Sequence, residues 1–388
     1  MSGQYTGEEK SAATDDGSAT VDSDSERNTL KDASTQTEKN LNPSYVNVKI
    51  ENLVLKNELA DLKSKITSKD EPVKFFCVDD VKDNDRKCKF YTGLTWLQFL
   101  CVWEFLGPAM EKLTYWNQPL KSCRKSPSKT RGTKRKLSAT NELFLTLVRL
   151  RTGLLNEDLG YRFGITSSTV SKIVITWVQF MYKQFSGLKT AMFAPRDVIK
   201  SNLPPSFKGF KGVRTVIDCT EFHVEQASNF ERQGNLYSSY KGHGTYKVLI
   251  GVAPCGAVMY VSDAFEGSMS DVEIVKQSGF LDHLKRGDLV IADRGFTIRE
   301  LLGERGVDLN IPPFLHGRDR LTPDEEKLTR QIARVRIHVE RGIERIKKFR
   351  LLQKVIPLSL QPIFSQMVFV AGCLVNFQEP LVNLQKSK

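Results

Sequence analysis

From about residue 205 onward, the hydrophobic and polar positions predict alternating strands and helices. VRTVIDCTEFHV reads as a strand, and YKVLIGVAP and VMYVSDAF, joined at Cys255-Gly256, read as a hairpin. SDVEIVKQSGFLDHL follows as a helix capped by Ser270. DLVIAD is a short, largely apolar run, the pattern of a central strand buried on both faces. A helix (TIRELLGERG), a short strand (DLNIPPF) and a long helix from about Thr322 to Phe349 complete the series.

Three strands, helix, strand, helix, strand, long helix is the order of a ribonuclease-H-like mixed sheet with flanking helices. That α/β domain is expected over residues 205–380. The region before it, 137–187, has helical periodicity throughout. Ser138 is positioned to cap ATNELFLTLVRLRTG, whose Leu143, Leu147 and Leu150 form a stripe. NEDLGYRF comes next, capped by Asn156 and stopped by Gly164. Thr166 then caps SSTVSKIVITWVQFMYKQF, with Val170, Ile173, Val174 and Trp177 facing inward. Short helix, glycine turn, longer helix is a helix-turn-helix pattern. In such a unit the first residues of the second helix enter the major groove of DNA, here Ser167, Ser168, Thr169, Ser171 and Lys172. A small helical bundle that only packs has the same pattern.

Upstream, residues 1–45 are rich in Ser, Thr, Asp and Glu and hold too little to bury, so a disordered acidic tail is expected. Within 46–68, Val48, Leu55, Leu59, Leu62 and Ile66 recur at steps of three and four, with Asn52 filling one position. That spacing fits a short coiled coil or an ordinary amphipathic helix. Residues 69–120 form a helical segment with an aromatic core at Trp96, Phe99, Leu100, Trp103 and Leu106. The linker 121–136, KSCRKSPSKTRGTKRK, is Lys or Arg at eight of sixteen positions and nearly free of apolar residues. It reads as a nuclear-import signal, a phosphate-gripping arm including Lys134, Arg135 and Lys136, or a solvated linker.

Charge sharpens this picture. The 388 residues carry a formal net charge of +12, and the first 45 contribute nine acids and four bases. The remainder therefore holds 53 Lys/Arg against 36 Asp/Glu, a balance that favours a polyanionic partner. The seven cysteines (77, 88, 101, 123, 219, 255 and 373) contain no C-x-x-C pair and no zinc spacing, so reduced thiols are expected. No signal-peptide pattern opens the sequence and no apolar run is read as a membrane span, so a soluble intracellular protein without a membrane partner is expected.

Three carboxylates carry the candidate chemistry. Asp218 and Asp293 each follow an apolar strand-like run, and Glu340 sits in the long basic helix among Arg334, Arg336, Arg341, Arg345, Lys347, Lys348 and Arg350. Oxygen ligands that stay ionised are what two Mg²⁺ or Mn²⁺ ions need to act on a phosphodiester. Arg341 and Arg345 are placed to meet a DNA backbone. Placement alone leaves rivals: Asp271, at the start of a helix, and Glu221, on the opposite strand face from Asp218. His223 and His338 are read as packing residues.

The ordered segments KFYTGL, LVRLRTGLLNEDLGYRFGITSSTVSKI, VIDCTEF, SSYKGHGTYKVLIGVAPCGAVMYVSDAFEGSMSD, VIADRGF, LNIPPF and RIHVERGIERIKKFR resemble the DDE-superfamily endonucleases of eukaryotic transposons, in the Harbinger (PIF)-like group and its relatives. The resemblance covers residues 89–380. It implies a metal-dependent transposase with Asp218, Asp293 and Glu340 as its triad, cleaving transposon ends and joining them to target DNA in the nucleus. It also implies a homo-oligomer, and with no zinc-coordinating module upstream, end recognition falls to the helix-turn-helix, the basic arm or a separate DNA-binding protein. A domesticated, catalytically idle DNA-binding protein is the alternative that such a family allows.

Overall fold

The computed structural model describes residues 43–67, 74–115, 135–226, 237–238 and 243–382. The expected tail up to residue 42, Cys123, Lys134 and most of the basic linker lie outside the described residues. The chain divides into two units at Lys74/Phe75. In the first, α1 (Pro43–Thr67) is one continuous helix of 25 residues.

The second unit begins with α2 (Asp85–Thr92) and α3 (Trp96–Leu106). Thr95 caps α3 by accepting from the Gln98 amide, and Gln98 returns a bond to Thr95. The buried stripe of α3 is Phe99, Val102 and Leu106; Leu100, expected in the core, is exposed. Helices α4 (Ala139–Thr152), α5 (Asn156–Phe163) and α6 (Ser167–Ser186) follow. Ser138 and Thr166 cap α4 and α6 as their sequence positions predict. Asn156 does not cap α5: it is the first helical residue, after Leu155, whose side chain makes no cap bond. Gly164 ends α5 in the left-handed region (φ 67°), and a side chain there would meet the Phe75 ring at 2.7 Å.

Two short helices, α7 (Lys189–Met192) and α8 (Arg196–Ser201), lead into the sheet. Its strands are β1 (Val213–His223), β2 (Tyr237–Ser238), β3 (His243–Val252), β4 (Val258–Val261), β5 (Phe265–Glu266), β6 (Leu289–Ile291) and β7 (Asp308–Asn310). The order is β2-β3-β1-β6-β7, with β4 and β5 also pairing β3. β1 runs antiparallel to β3 and parallel to β6, and β6 is parallel to β7. Helices α9 (Asp271–Gln277), α10 (Arg299–Gly303), α11 (Pro323–Lys347) and α12 (Phe364–Asn376) complete the chain. This is the mixed, flanked sheet that the strand and helix order predicts.

Strand alternation gives the sheet two faces. Val216, Val248, Ile250 and Ile291 join one core with α4, α6, α11 and α12. Their neighbours Ile217, Leu249 and Val290 join a second core with Ile274, Phe280 and Leu302. The helix-turn-helix and the sheet therefore share one hydrophobic core, with α12 packed against α6, β4 and α11. The stretch Leu358–Asn376 is long and apolar enough to cross a membrane by length and composition, contrary to the reading of the sequence. It is 67% buried here, as the central helix of that core. Among the described residues the six cysteines form no disulfide.

Candidate active site

Strand register brings two of the acids together. The last parallel pair between β1 and β6 is Val216 opposite Ile291. Asp218 and Asp293 each lie two residues further on, so both fall on the face that holds Val216 and Ile291, side by side where the shared ladder stops. Asp218 does not end its strand. It sits in the middle of β1, opposite Ile250, and β1 continues to His223 against β3 alone. The apolar run ends at Ile217 because β1 loses its β6 neighbour there, leaving that side of the strand open to polar groups.

Helix α11 lies across this face. Its buried residues Ile332, Val335, Val339, Ile343 and Ile346 fit the helical repeat, and Gly342 permits a close approach to β3. A side chain at Gly342 would meet Val252 Cγ1 at 2.9 Å. The seating turns Arg336 and Glu340, one helical turn apart, toward the strand ends. An Arg336 guanidinium nitrogen stands 3.0 Å from Asp293 Oδ1, and its other terminal nitrogen stands 3.8 Å from Glu340 Oε1. Asp293 Oδ1 also accepts from the Arg294 amide at 2.7 Å. Arg336 is mostly buried, and its Nε has no hydrogen-bond partner.

Burial raises the Asp218 carboxyl to about 6; Arg336 opposes the rise, while Asp293 and Asp271 add to it. The four groups thus share one electrostatic neighbourhood. Asp271 approaches from the other face of the sheet. It begins α9 after the Ser270 cap, pairs with Lys247 Nζ at 3.6 Å and accepts from the Cys219 thiol. Lys247 also donates to the Met269 carbonyl at 3.0 Å. Glu221 accepts from Thr245 Oγ1 at 2.9 Å on β3 and takes no part in the group around Arg336.

An all-oxygen carboxylate set suits a hard divalent cation. Among the described residues no three acidic, His or Cys side chains stand close enough to hold one as they are. The positive group between Asp293 and Glu340 is the Arg336 guanidinium. The donors fit a divalent metal in kind, and their convergence on one requires Arg336 to turn aside. Sequence reading leaves Lys247 unassigned and takes Arg336 only as one of the basic residues around Glu340, whereas it pairs with Asp293 and Glu340. The spacing of four between Arg336 and Glu340 was the available signal, since it puts both on one helix face.

The basic residues divide differently from the sequence expectation. Arg341 is exposed beside Glu340. Arg345 does not face the acids: it donates to the Glu379 carbonyl and lines a cavity of 650 Å³ with Cys255 and Leu381. Lys347 donates to the Glu221 carbonyl at 3.0 Å and lies over the Phe222 ring. Arg135 is no free arm residue either. It reaches the buried Glu142 at 3.4 Å and lies over the Tyr115 ring, whereas Lys136 is exposed. At the start of α6, Ser167, Ser168 and Lys172 are exposed, and Thr169 and Ser171 are half-buried. The Thr169 hydroxyl is 2.8 Å from Thr166 Oγ1, inside the helix cap. His338 packs on Phe207, and His223 meets His243 edge-on with Nδ1 atoms 3.2 Å apart.

No curated protein and no solved structure matches the chain. Residues 217–376 match the family model described as DDE superfamily endonuclease, which spans β1 through α12. Residues 135–187 match the model described as helix-turn-helix of DDE superfamily endonuclease, which spans α4 to α6. The chain thus carries a DDE superfamily endonuclease domain joined to the helix-turn-helix of that superfamily.

Proposed function

We propose that this protein is a nuclear DNA endonuclease of the transposase kind, in the Harbinger (PIF)-like group, with Asp218, Asp293 and Glu340 as its catalytic acids. The observation that carries this reading is the matched position of Asp218 and Asp293 two residues past the Val216–Ile291 pair, with Glu340 held across from them on α11. Asp218, Asp293 and Glu340 would hold Mg²⁺ or Mn²⁺. Bound there, two such ions would supply Lewis-acid activation of a water or 3′-hydroxyl and charge neutralisation at the leaving oxygen.

The chain's own groups do the rest. Burial of Asp218 keeps its proton affinity high until a cation neutralises the cluster. Arg336, turned from Asp293, is placed to meet a phosphate oxygen with a planar pair of donors. Exposed Arg341, Lys136 and Lys172 supply backbone contacts to transposon ends and target DNA, and Ser167 and Ser168 face the groove.

The test is nicking of supercoiled plasmid and of duplexes carrying candidate terminal repeats, with Mg²⁺ or Mn²⁺, by wild type and Asp293→Ala. Metal-dependent cleavage lost in Asp293→Ala supports the reading. Salt-sensitive binding with no cleavage on any substrate would overturn it in favour of an idle DNA-binding scaffold.

A further inference from the structure

The helix α1 bears a two-stranded heptad seam, and we infer that it pairs in parallel with α1 of a second copy of this chain. With Asn52, Leu59 and Ile66 at position a, position d holds Val48, Leu55 and Leu62. Val48, Leu55, Leu59 and Leu62 are 52% to 59% exposed, so the seam is open to solvent among the described residues. A solvent-exposed apolar stripe of this regularity is stabilised by a partner with the same spacing.

The charges beside the seam identify that partner. Position g holds Glu51 and Glu58, and position e holds Lys49, Lys56 and Lys63. In a parallel pair each g faces the e of the following heptad on the other chain, giving Glu51 with Lys56 and Glu58 with Lys63, twice by symmetry. In an antiparallel pair g faces g and e faces e, which sets Glu against Glu and Lys against Lys. The pattern is thus self-complementary in one orientation and self-repelling in the other. Asn52 at an a position favours two strands in register over larger bundles, because its amide needs a polar partner across the seam. That amide donates within the helix to the Val48 carbonyl at 2.9 Å. Ile50, Leu53 and Val54 lie outside the seam, at positions f, b and c, and are also exposed. This inference is independent of the catalytic reading.

The test is light scattering on the full-length chain after size exclusion. Wild type should run at twice 43.9 kDa. Glu51→Lys with Glu58→Lys, and separately Lys56→Glu with Lys63→Glu, should each weaken self-association at least tenfold. A one-to-one mixture of the two variants should restore the dimer as a mixed species. Asn52→Cys should give an additional cross-linked dimer on a non-reducing gel after oxidation, as parallel a-to-a contact requires. A monomeric wild type, a trimer or tetramer, charge variants that remain fully dimeric, or no Asn52→Cys cross-link would each overturn the proposal.

Discussion

The Arg336 guanidinium sits 3.0 Å from the Asp293 carboxylate, so a side chain of the protein itself occupies the cationic position beside that acid. A divalent ion binding among the proposed acids would have to displace it. The Asp293 carboxylate is half exposed, which limits such a pair to about 1 kcal/mol or less. Arg336→Gln is therefore expected to bind Mn²⁺ up to about fivefold more tightly by calorimetry. It should melt at a lower temperature in EDTA, and cleavage should fall if Arg336 meets the phosphate. Weaker Mn²⁺ binding by Arg336→Gln would show instead that Arg336 gathers the acids.

Asp218 makes stability depend on pH in a defined direction. Its folded carboxyl is raised to about 6 from 3.8, so the folded state holds the proton more tightly than the unfolded chain. Below about pH 4 the group is neutral in both states and contributes nothing. Stability then falls as pH rises from 4 to 6, by on the order of 3 kcal/mol, and stays lowered above. Asp218→Asn should accordingly raise the melting temperature at pH 7 and leave it unchanged at pH 3.5. In wild type, Mn²⁺ affinity should drop as pH falls below 6, because binding must displace the Asp218 proton.

A buried carboxylate anchors the helix-turn-helix. Glu142 is wholly buried, accepts from Trp177 Nε1 at 2.8 Å and from the Tyr115 hydroxyl, and pairs with Arg135. Glu142→Ala strands these donors and should cost about 2–4 kcal/mol in urea unfolding. Glu142→Gln keeps an oxygen for Trp177 and should cost less. Equal losses for the two variants would mean that volume, not hydrogen bonding, is what Glu142 provides.

Lys172 is exposed on the first turns of α6. Lys172→Ala should weaken DNA binding similarly on all sequences, reduce the salt slope of log K by about 1, and leave the melting temperature unchanged. Unchanged binding would assign α6 to packing alone.

Much of the α/β topology was readable from periodicity, because the central strand β6 is short and apolar and α11 has a clean buried stripe. Asp293 stood out as a charge just past an unambiguous strand, and Glu340 as an acid among the arginines inside an unambiguous helix. Asp218 was read as the end of its strand and lies inside it, since an apolar run reports how many neighbours a strand has and not where it ends. The fate of each arginine was not readable. Arg336, Arg341 and Arg345 lie on one helix within ten residues, yet one faces the acids, one faces solvent and one bonds the Glu379 carbonyl. Sequence gives their angular order around α11, while the seating of Gly342 on Val252 sets which angle meets which surface. Leu100 and Asn156 show the same limit at smaller scale, where the identity of a residue suits a role that its neighbour fills.

The core shared by α6, α12 and the sheet has a mechanical consequence. A reading head on a flexible tether could cut at many distances from the sequence it grips. Here Trp177 and Phe369 belong to one packed interior with Val258 beneath Gly372. On the proposed reading, the first turn of α6 and the Asp218–Asp293 pair would be two jaws of one caliper, joined through this core. The number of base pairs between a gripped site and a cut bond would then be a property of the fold, altered by reshaping the core and not by lengthening a linker.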